Sequence, residues 1–202
     1  MPDNLLEIQE NVPLAPLTTL GVGGAARFFV RAISEDQVAA GVKYARENGL
    51  HIFVLGGGSN ILVSDRGFDG LVISVELSGV EIVNDSESNV ELNVAAGENW
   101  DGFVEYCVQH GYRGVECLSG IPGLVGGTPI QNVGAYGQEV SSTIDSLRAY
   151  DRQTDQIVEL SNGDCGFAYR TSIFNTTVRD RYIVLSVRFT LSKAGSPTIT
   201  YR

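Results

Sequence analysis

The chain has 202 residues, enough for one large or two small domains at about 150 residues each, with no room for a third substantial one. Lys and Arg number 14 against 24 Asp and Glu, a formal charge of −10, so neither a nucleic-acid surface nor an anionic-membrane surface is expected, since both need clustered positive charge to displace counterions. A hydrophobic share of 43% with 19% charged residues is a globular balance that excludes disorder for most of the chain.

The opening MPDNLLEIQE is acidic and has no apolar stretch of the signal-peptide kind. No run of about 18 apolar residues follows, so a soluble cytoplasmic protein without membrane contact is expected. Gly21 to Ala26 formally satisfies the dinucleotide fingerprint G-x-G-x-x-A. The context is wrong for it, because Pro13 and Pro16 precede it closely and the alternating RFFVR follows; a turn leading into a strand over 27–31 is the reading. Ser34 with Gln37 forms a capping box that opens a helix over 35–48, which Gly49 ends. HIFVL at 51–55 reads as a buried strand running into Gly56, Gly57, Gly58, Ser59 and Asn60, with further strands at 61–64 and 71–75. These elements make a first α+β unit, residues 1–78.

Strands at 80–84 and 90–95 flank the polar turn DSESN. Asn99 then caps a helix whose apolar face comprises Trp100, Phe103, Val104, Cys107 and Val108, closed by Gly111. Beyond a glycine-rich stretch at 119–137 come strand patterns at 145–150, 156–160 and 182–191, giving a second α+β unit, residues 79–202. Cys107, Cys117 and Cys165 are odd in number and lack C-x-x-C spacing, which fits a reducing compartment. His51 and His110 stand at no metal-ligand spacing, so no metal is expected.

Two segments are candidates for chemistry. The glycines at 56–58, with Ser59 and Asn60, turn several backbone N–H groups toward a possible anion such as a pyrophosphate; the alternative is a tight turn between strands. Residues 119–137, SGIPGLVGGTPIQNVGAYG, alternate glycine with small apolar residues before the paired amides Gln131 and Asn132. Such a segment suits a flat, partly apolar ligand and equally a structural loop knot.

LGGGSN, SGIPGLVGGTPIQNVGAYG and FAYRTSIF, in this order and at these separations, resemble the UDP-N-acetylenolpyruvoylglucosamine reductase (MurB) family of peptidoglycan synthesis, and LTTLGVGGAARFFV is similar to that family's start. The resemblance implies an FAD-binding fold of the vanillyl-alcohol-oxidase/PCMH type, α+β, with two subdomains holding the flavin. It implies that Gly56, Gly57, Gly58, Ser59 and Asn60, together with Ser119, Gly120, Ile121, Pro122, Gly123, Gly126 and Gly127, hold the pyrophosphate, and that Gln131, Asn132 and Gly134 lie near the flavin. In the family reaction NADPH reduces FAD, and hydride then passes from flavin N5 to the enolpyruvyl ether of UDP-N-acetylglucosamine.

By the same resemblance Arg170 is the catalytic arginine, whose planar fork suits an enolate or carboxylate, and Tyr136, Tyr169 and Tyr201 contact substrate. Read without the motif, Arg170 would be a surface ion pair, and Tyr136 and Tyr201 packing residues. The family's proton-donor serine, its glutamate and its third domain correspond to positions beyond residue 202. The chain is therefore expected to be C-terminally truncated relative to the family, to act as the flavin-binding part, and to be inactive alone. The partners implied are the UDP-sugar and NADPH, with a monomer favoured. A non-catalytic FAD-binding module and a flavin oxidase of the same fold are the other readings.

Overall fold

The computed structural model describes residues 6–194, and Tyr201 and the terminal PTITYR lie outside them. The first of two units, Met1–Leu77, contains β1 (Gln9–Pro13), β2 (Ala25–Ala32), α1 (Glu35–Glu47), β3 (His51–Leu55) and β4 (Phe68–Val75). The sheet order is β1-β2-β4-β3, with β1 antiparallel to β2 and the other pairs parallel. The last strand in sequence inserts between β2 and β3, so residues 70–75 are buried throughout, and the apolar run of LVISV is that of a strand covered on both faces.

One cover is α1, which buries Val38, Val42 and Ala45 at helical spacing. The Ser34 hydroxyl accepts the Gln37 N–H at 3.2 Å, and the Gln37 amide oxygen accepts the N–H of Ile33 at 2.9 Å, so the side chain reaches back one residue beyond the cap. A separate cluster joins Leu14, Ala26, Phe29, Leu55 and Val72, with Ile61 and Val63 packed against it.

Three expectations for this unit change. β1 had no sequence signal, because QENVP is an almost wholly exposed edge strand with Asn11 in the left-handed region (φ 55°). β3 is half-buried, being the opposite edge. Residues 61–64 form no strand. Their backbone is used instead at a turn, where Ser64 O accepts the N–H groups of Gly24 (2.9 Å) and Gly67 (2.8 Å), and the alternation of ILVS reflects Ile61 and Val63 packing inward.

The second unit, Ser78–Arg202, contains β5 (Val80–Asp85), β6 (Asn89–Ala95), α2 (Trp100–Gln109), the two-residue strands β7 (Gly134–Ala135) and β8 (Gln138–Glu139), then β9 (Ile144–Asp151), β10 (Gln156–Ser161) and β11 (Tyr182–Ser192). A five-stranded antiparallel sheet runs β10-β9-β11-β6-β5. Asn99 caps α2 by accepting the Gly102 N–H at 2.8 Å. The helix buries Trp100, Phe103, Val104 and Cys107, and the Phe103 ring lies 4.9 Å from that of Phe189 on β11. Val108, expected on the same face, is 55% exposed, since a ten-residue helix turns it off the seam before its end.

Asp151 closes β9 with a carboxylate buried under Arg181, whose Nε and Nη2 donate to Oδ1 (3.0 Å) and Oδ2 (2.6 Å). This fork, helped by the Gln153 N–H, holds the carboxyl at about 2 against an ordinary 3.8. A folded-state value depressed in this way stabilises the native state above the unfolded-state value, and that stabilisation is lost as pH falls through about 2. Asp151→Asn is therefore expected to cost about 2 kcal/mol in urea unfolding at pH 7. The difference from wild type should shrink steadily between about pH 4 and pH 2. A difference constant across that range would separate Asp151 from the acid sensitivity of the fold.

Candidate functional site

The β6–α2 junction acts as a template for the glycine-rich loop that follows α2. Ala96 O accepts the Gly126 N–H (2.9 Å), Glu98 O accepts the Val125 N–H (2.9 Å), and the Trp100 N–H donates to Gly123 O (3.1 Å). The Trp100 indole, buried in the core, donates Nε1–H to Leu118 O at 3.0 Å. Asp101 Oδ1 takes the Ser119 hydroxyl (3.0 Å) and the Gly120 N–H (2.6 Å). Those two donors, Gly120 first, hold the Asp101 carboxyl below its ordinary value.

Glycines in the loop serve two purposes. A Cβ at Gly126 would come within 2.6 Å of the Ala96 Cβ, so glycine there lets two backbones meet. A Cβ at Gly127 would meet nothing within 4 Å, leaving bare backbone facing open space. Ile121 and Gly123 are half-buried, Pro122 is exposed, and Ser119 and Gly120 are exposed with their donors on Asp101.

The loop after β3 shows the same division within the first unit. Gly56 and Gly57 are exposed, and a Cβ on Gly56 would meet nothing within 4 Å. Gly58 is buried in the left-handed region (φ 66°) with a Cβ position filled by the Leu17–Thr18 backbone, and its carbonyl accepts the Thr19 N–H at 3.0 Å. Ser59 is half-buried and Asn60 exposed.

Residues 130–141 and 165–175 are sewn together by side chains. Asn132, 1% exposed and in the left-handed region (φ 44°), donates Nδ2–H to Glu139 Oε2 and to Ala168 O, both at 3.0 Å, and accepts the Ser141 N–H at 3.1 Å. Both Nδ2 hydrogens and the amide oxygen thus have protein partners, and the side chain acts on the loop rather than facing outward; Gln131 beside it is half-buried. Buried Ser172 donates its hydroxyl to Ile130 O (2.6 Å) and accepts the Phe174 N–H (3.1 Å).

Ala168 and Thr171 exchange two backbone hydrogen bonds of 3.0 Å, which puts Tyr169 and Arg170 at the tip of a tight turn, Arg170 with φ 53°. Arg170 Nη2 donates to Gly134 O at 2.7 Å, bringing the arginine onto the Gln131–Gly134 segment. Tyr169 is 80% exposed, and Tyr136, 63% exposed, occupies the β7–β8 turn with Gly137, both at positive φ as a twisted two-residue hairpin requires. The site therefore gathers Asn132, Gly134, Tyr169 and Arg170, while Tyr201 lies outside the described residues.

Burial pushes the Cys107 thiol up to about 12 and that of Cys165 up to about 11, so both stay protonated and neither is a nucleophile. Among the described residues no group of three or more His, Cys, Asp or Glu could hold a metal, and no helix is long and apolar enough to cross a membrane. Sequence reasoning missed Asp101, Glu139 and Ser141. An acid in the first turn of a helix usually complements the helix dipole, which hides its contact with a loop 18 residues away.

The model of the FAD binding domain family matches residues 26–161. The chain belongs to that family. FAD is its cofactor, and the expectation of an FAD-binding fold is met. The chain is 50% identical over 184 residues to the UDP-N-acetylenolpyruvoylglucosamine reductase of Thermobifida fusca, covering 91% of this chain and 51% of that protein. It spans about half the length of the curated relatives it matches. The crystal structure of the MurB reductase from Thermus caldophilus superposes with TM-score 0.75 at 26% identity, covering 93% of this chain and 63% of the other. The 6-hydroxy-D-nicotine oxidase of Arthrobacter nicotinovorans, at 21% identity and TM-score 0.61, covers 83% of this chain and 36% of its own and shares the fold alone. The architecture is that of the vanillyl-alcohol-oxidase/PCMH flavoproteins.

Asn132 is the buried hub of this FAD-binding domain's second glycine-rich segment. Asn132→Ala strands the Ala168 carbonyl, the Glu139 carboxylate and the Ser141 N–H, and is expected to cost about 2–4 kcal/mol in urea unfolding. Asn132→Asp should cost more at pH 7, because it sets a second carboxylate against Glu139. Loss of less than about 0.5 kcal/mol for both variants would remove Asn132 from this role.

Proposed function

We propose that this chain is the flavin-binding part of a UDP-N-acetylenolpyruvoylglucosamine reductase, which uses NADPH to reduce the enolpyruvyl ether of UDP-N-acetylglucosamine to UDP-N-acetylmuramate for peptidoglycan synthesis. The observation that carries the reading is Arg170, held by its hydrogen bond to Gly134 O and by the Asn132 anchor of its turn beside the Gln131–Gly134 segment. The residues fit the cofactor. Within the first unit, bare backbone at Gly56 borders space that a Cβ would enter freely, which supports the approach of a phosphate there; within the second, Gly127 leaves the same room beside the loop, its own N–H being held by Leu124 O at 2.9 Å.

Bound flavin supplies the hydride, and the chain's own residues orient the reactants and bear the charge that develops. Arg170 commits one N–H to Gly134 and keeps the rest of its exposed guanidinium for a carboxylate or enolate oxygen. Being unable to lose its proton, it stabilises negative charge without supplying the hydrogen that quenches it. Tyr136 and Tyr169 are exposed on the turns that flank the arginine, suited to the substrate's sugar and diphosphate. Ser172, whose hydroxyl is buried on Ile130 O, is a structural residue in this scheme and not a proton donor. A cytoplasmic location, where nucleotide sugars and NADPH meet, and a monomeric chain go with this reading.

The test is Arg170→Lys in a chain of the relatives' full length, assayed anaerobically for UDP-N-acetylmuramate. Lysine keeps the charge and loses the fork, so kcat should fall by about 10²–10³ with a smaller change in KM. Unchanged kcat with a raised KM would assign Arg170 to ground-state binding, and unchanged values of both would remove it from the site.

A further inference from the structure

We propose that Asp101 is the positioning residue of the cofactor loop, fixing the backbone at Ser119–Gly120 so that Ile121, Gly123 and Leu124 present their N–H groups to the FAD pyrophosphate. The inference rests on the reading of residues 119–127 as a cofactor loop and adds a residue outside that loop.

The loop is tied at both ends by Trp100, through its indole to Leu118 O and its backbone N–H to Gly123 O. Between these ties Ser119 and Gly120 are exposed. Gly120 turns in the left-handed region at φ 78°, and a Cβ placed on it would meet nothing within 4 Å. Packing therefore does not fix this turn. Asp101, in the first turn of α2, does so with one oxygen that accepts both the Ser119 hydroxyl and the Gly120 N–H. A carboxylate accepting two such bonds gains from being charged, in keeping with its lowered titration.

The same bonds give Ser119 and Gly120 a task within the loop. Their donors point at a carboxylate, so they shape the loop; the N–H groups of Val125, Gly126 and Gly127 are bonded to Glu98 O, Ala96 O and Leu124 O, and the anion is left to those of Ile121, Gly123 and Leu124. The alternative is that Asp101 competes with the pyrophosphate for these donors and must release them on binding. The two arrangements predict opposite effects when the carboxylate is removed.

The experiment titrates the 202-residue chain with FAD, read by quenching of flavin fluorescence, for wild type, Asp101→Asn, Asp101→Ala, Ser119→Ala and the Asp101→Ala/Ser119→Ala double variant. Asn keeps the accepting oxygen, so D101N should bind within about threefold of wild type, whereas D101A should bind about tenfold more weakly, the value of one or two lost hydrogen bonds. S119A should add little in the D101A background, because its hydroxyl acts through Asp101. Amide exchange at Gly120 should speed up in D101A with thermal stability within a degree or two of wild type, a readout independent of any ligand. Equal or tighter FAD binding by D101A would overturn the proposal, as would unchanged exchange at Gly120. Faster exchange in D101A with no FAD binding by wild type would refute the cofactor reading and with it the positioning role.

Discussion

The second unit depends on a backbone agreement between two short segments, residues 96–101 and 118–126. Neither is a conventional ladder partner of the other, yet four main-chain or indole hydrogen bonds and one carboxylate join them. The agreement is rigid because Trp100 takes part in it from inside the core, where its ring packs with Phe103 and Phe189. Order thus passes from the central strand β11 through the aromatic cluster to the helix start and out to an exposed loop. A loop assembled in this way holds its shape before any ligand arrives, which reduces the ordering cost of binding.

The glycines show how architecture and binding share one residue type. Gly58 and Gly126 are glycine because another stretch of backbone occupies the space of a side chain, whereas Gly56 and Gly127 border empty space. In sequence the two kinds stand side by side and cannot be separated. Substituting the first kind disturbs packing, and substituting the second alters what can approach from outside. An experiment that mutates Gly126 therefore reports on the fold before it reports on a cofactor.

The regular elements were legible where period and caps agreed. Ser34 and Asn99 cap their helices as their positions suggest, and the strands around 145–150, 156–160 and 182–191 appear as β9, β10 and β11, the edge strand β10 with alternating exposure and the inner strands β9 and β11 buried along most of their length. β1 was illegible because an exposed edge strand needs no apolar residues, and 61–64 misled because inward-facing side chains in an irregular segment mimic a period of two. The motif segments were legible as motifs, but the tasks of their residues were not. Asn132 looks like half of an outward amide pair and is a buried junction of three chain segments. That distinction depends on Glu139, Ser141 and Ala168, which no local pattern ties to residue 132.

The central proposal is that the glycine-rich loop at residues 119–127 binds a dinucleotide's pyrophosphate. Titrating the chain with FAD, FMN and riboflavin under identical conditions tests it most directly, because the three share the isoalloxazine ring and only FAD carries the pyrophosphate bridge. The account predicts that FAD binds at least about 10²-fold more tightly than FMN, the effect of two or so charge-assisted hydrogen bonds, and that riboflavin is no better than FMN. FAD and FMN binding with equal affinity, or no FAD binding at all, would contradict it.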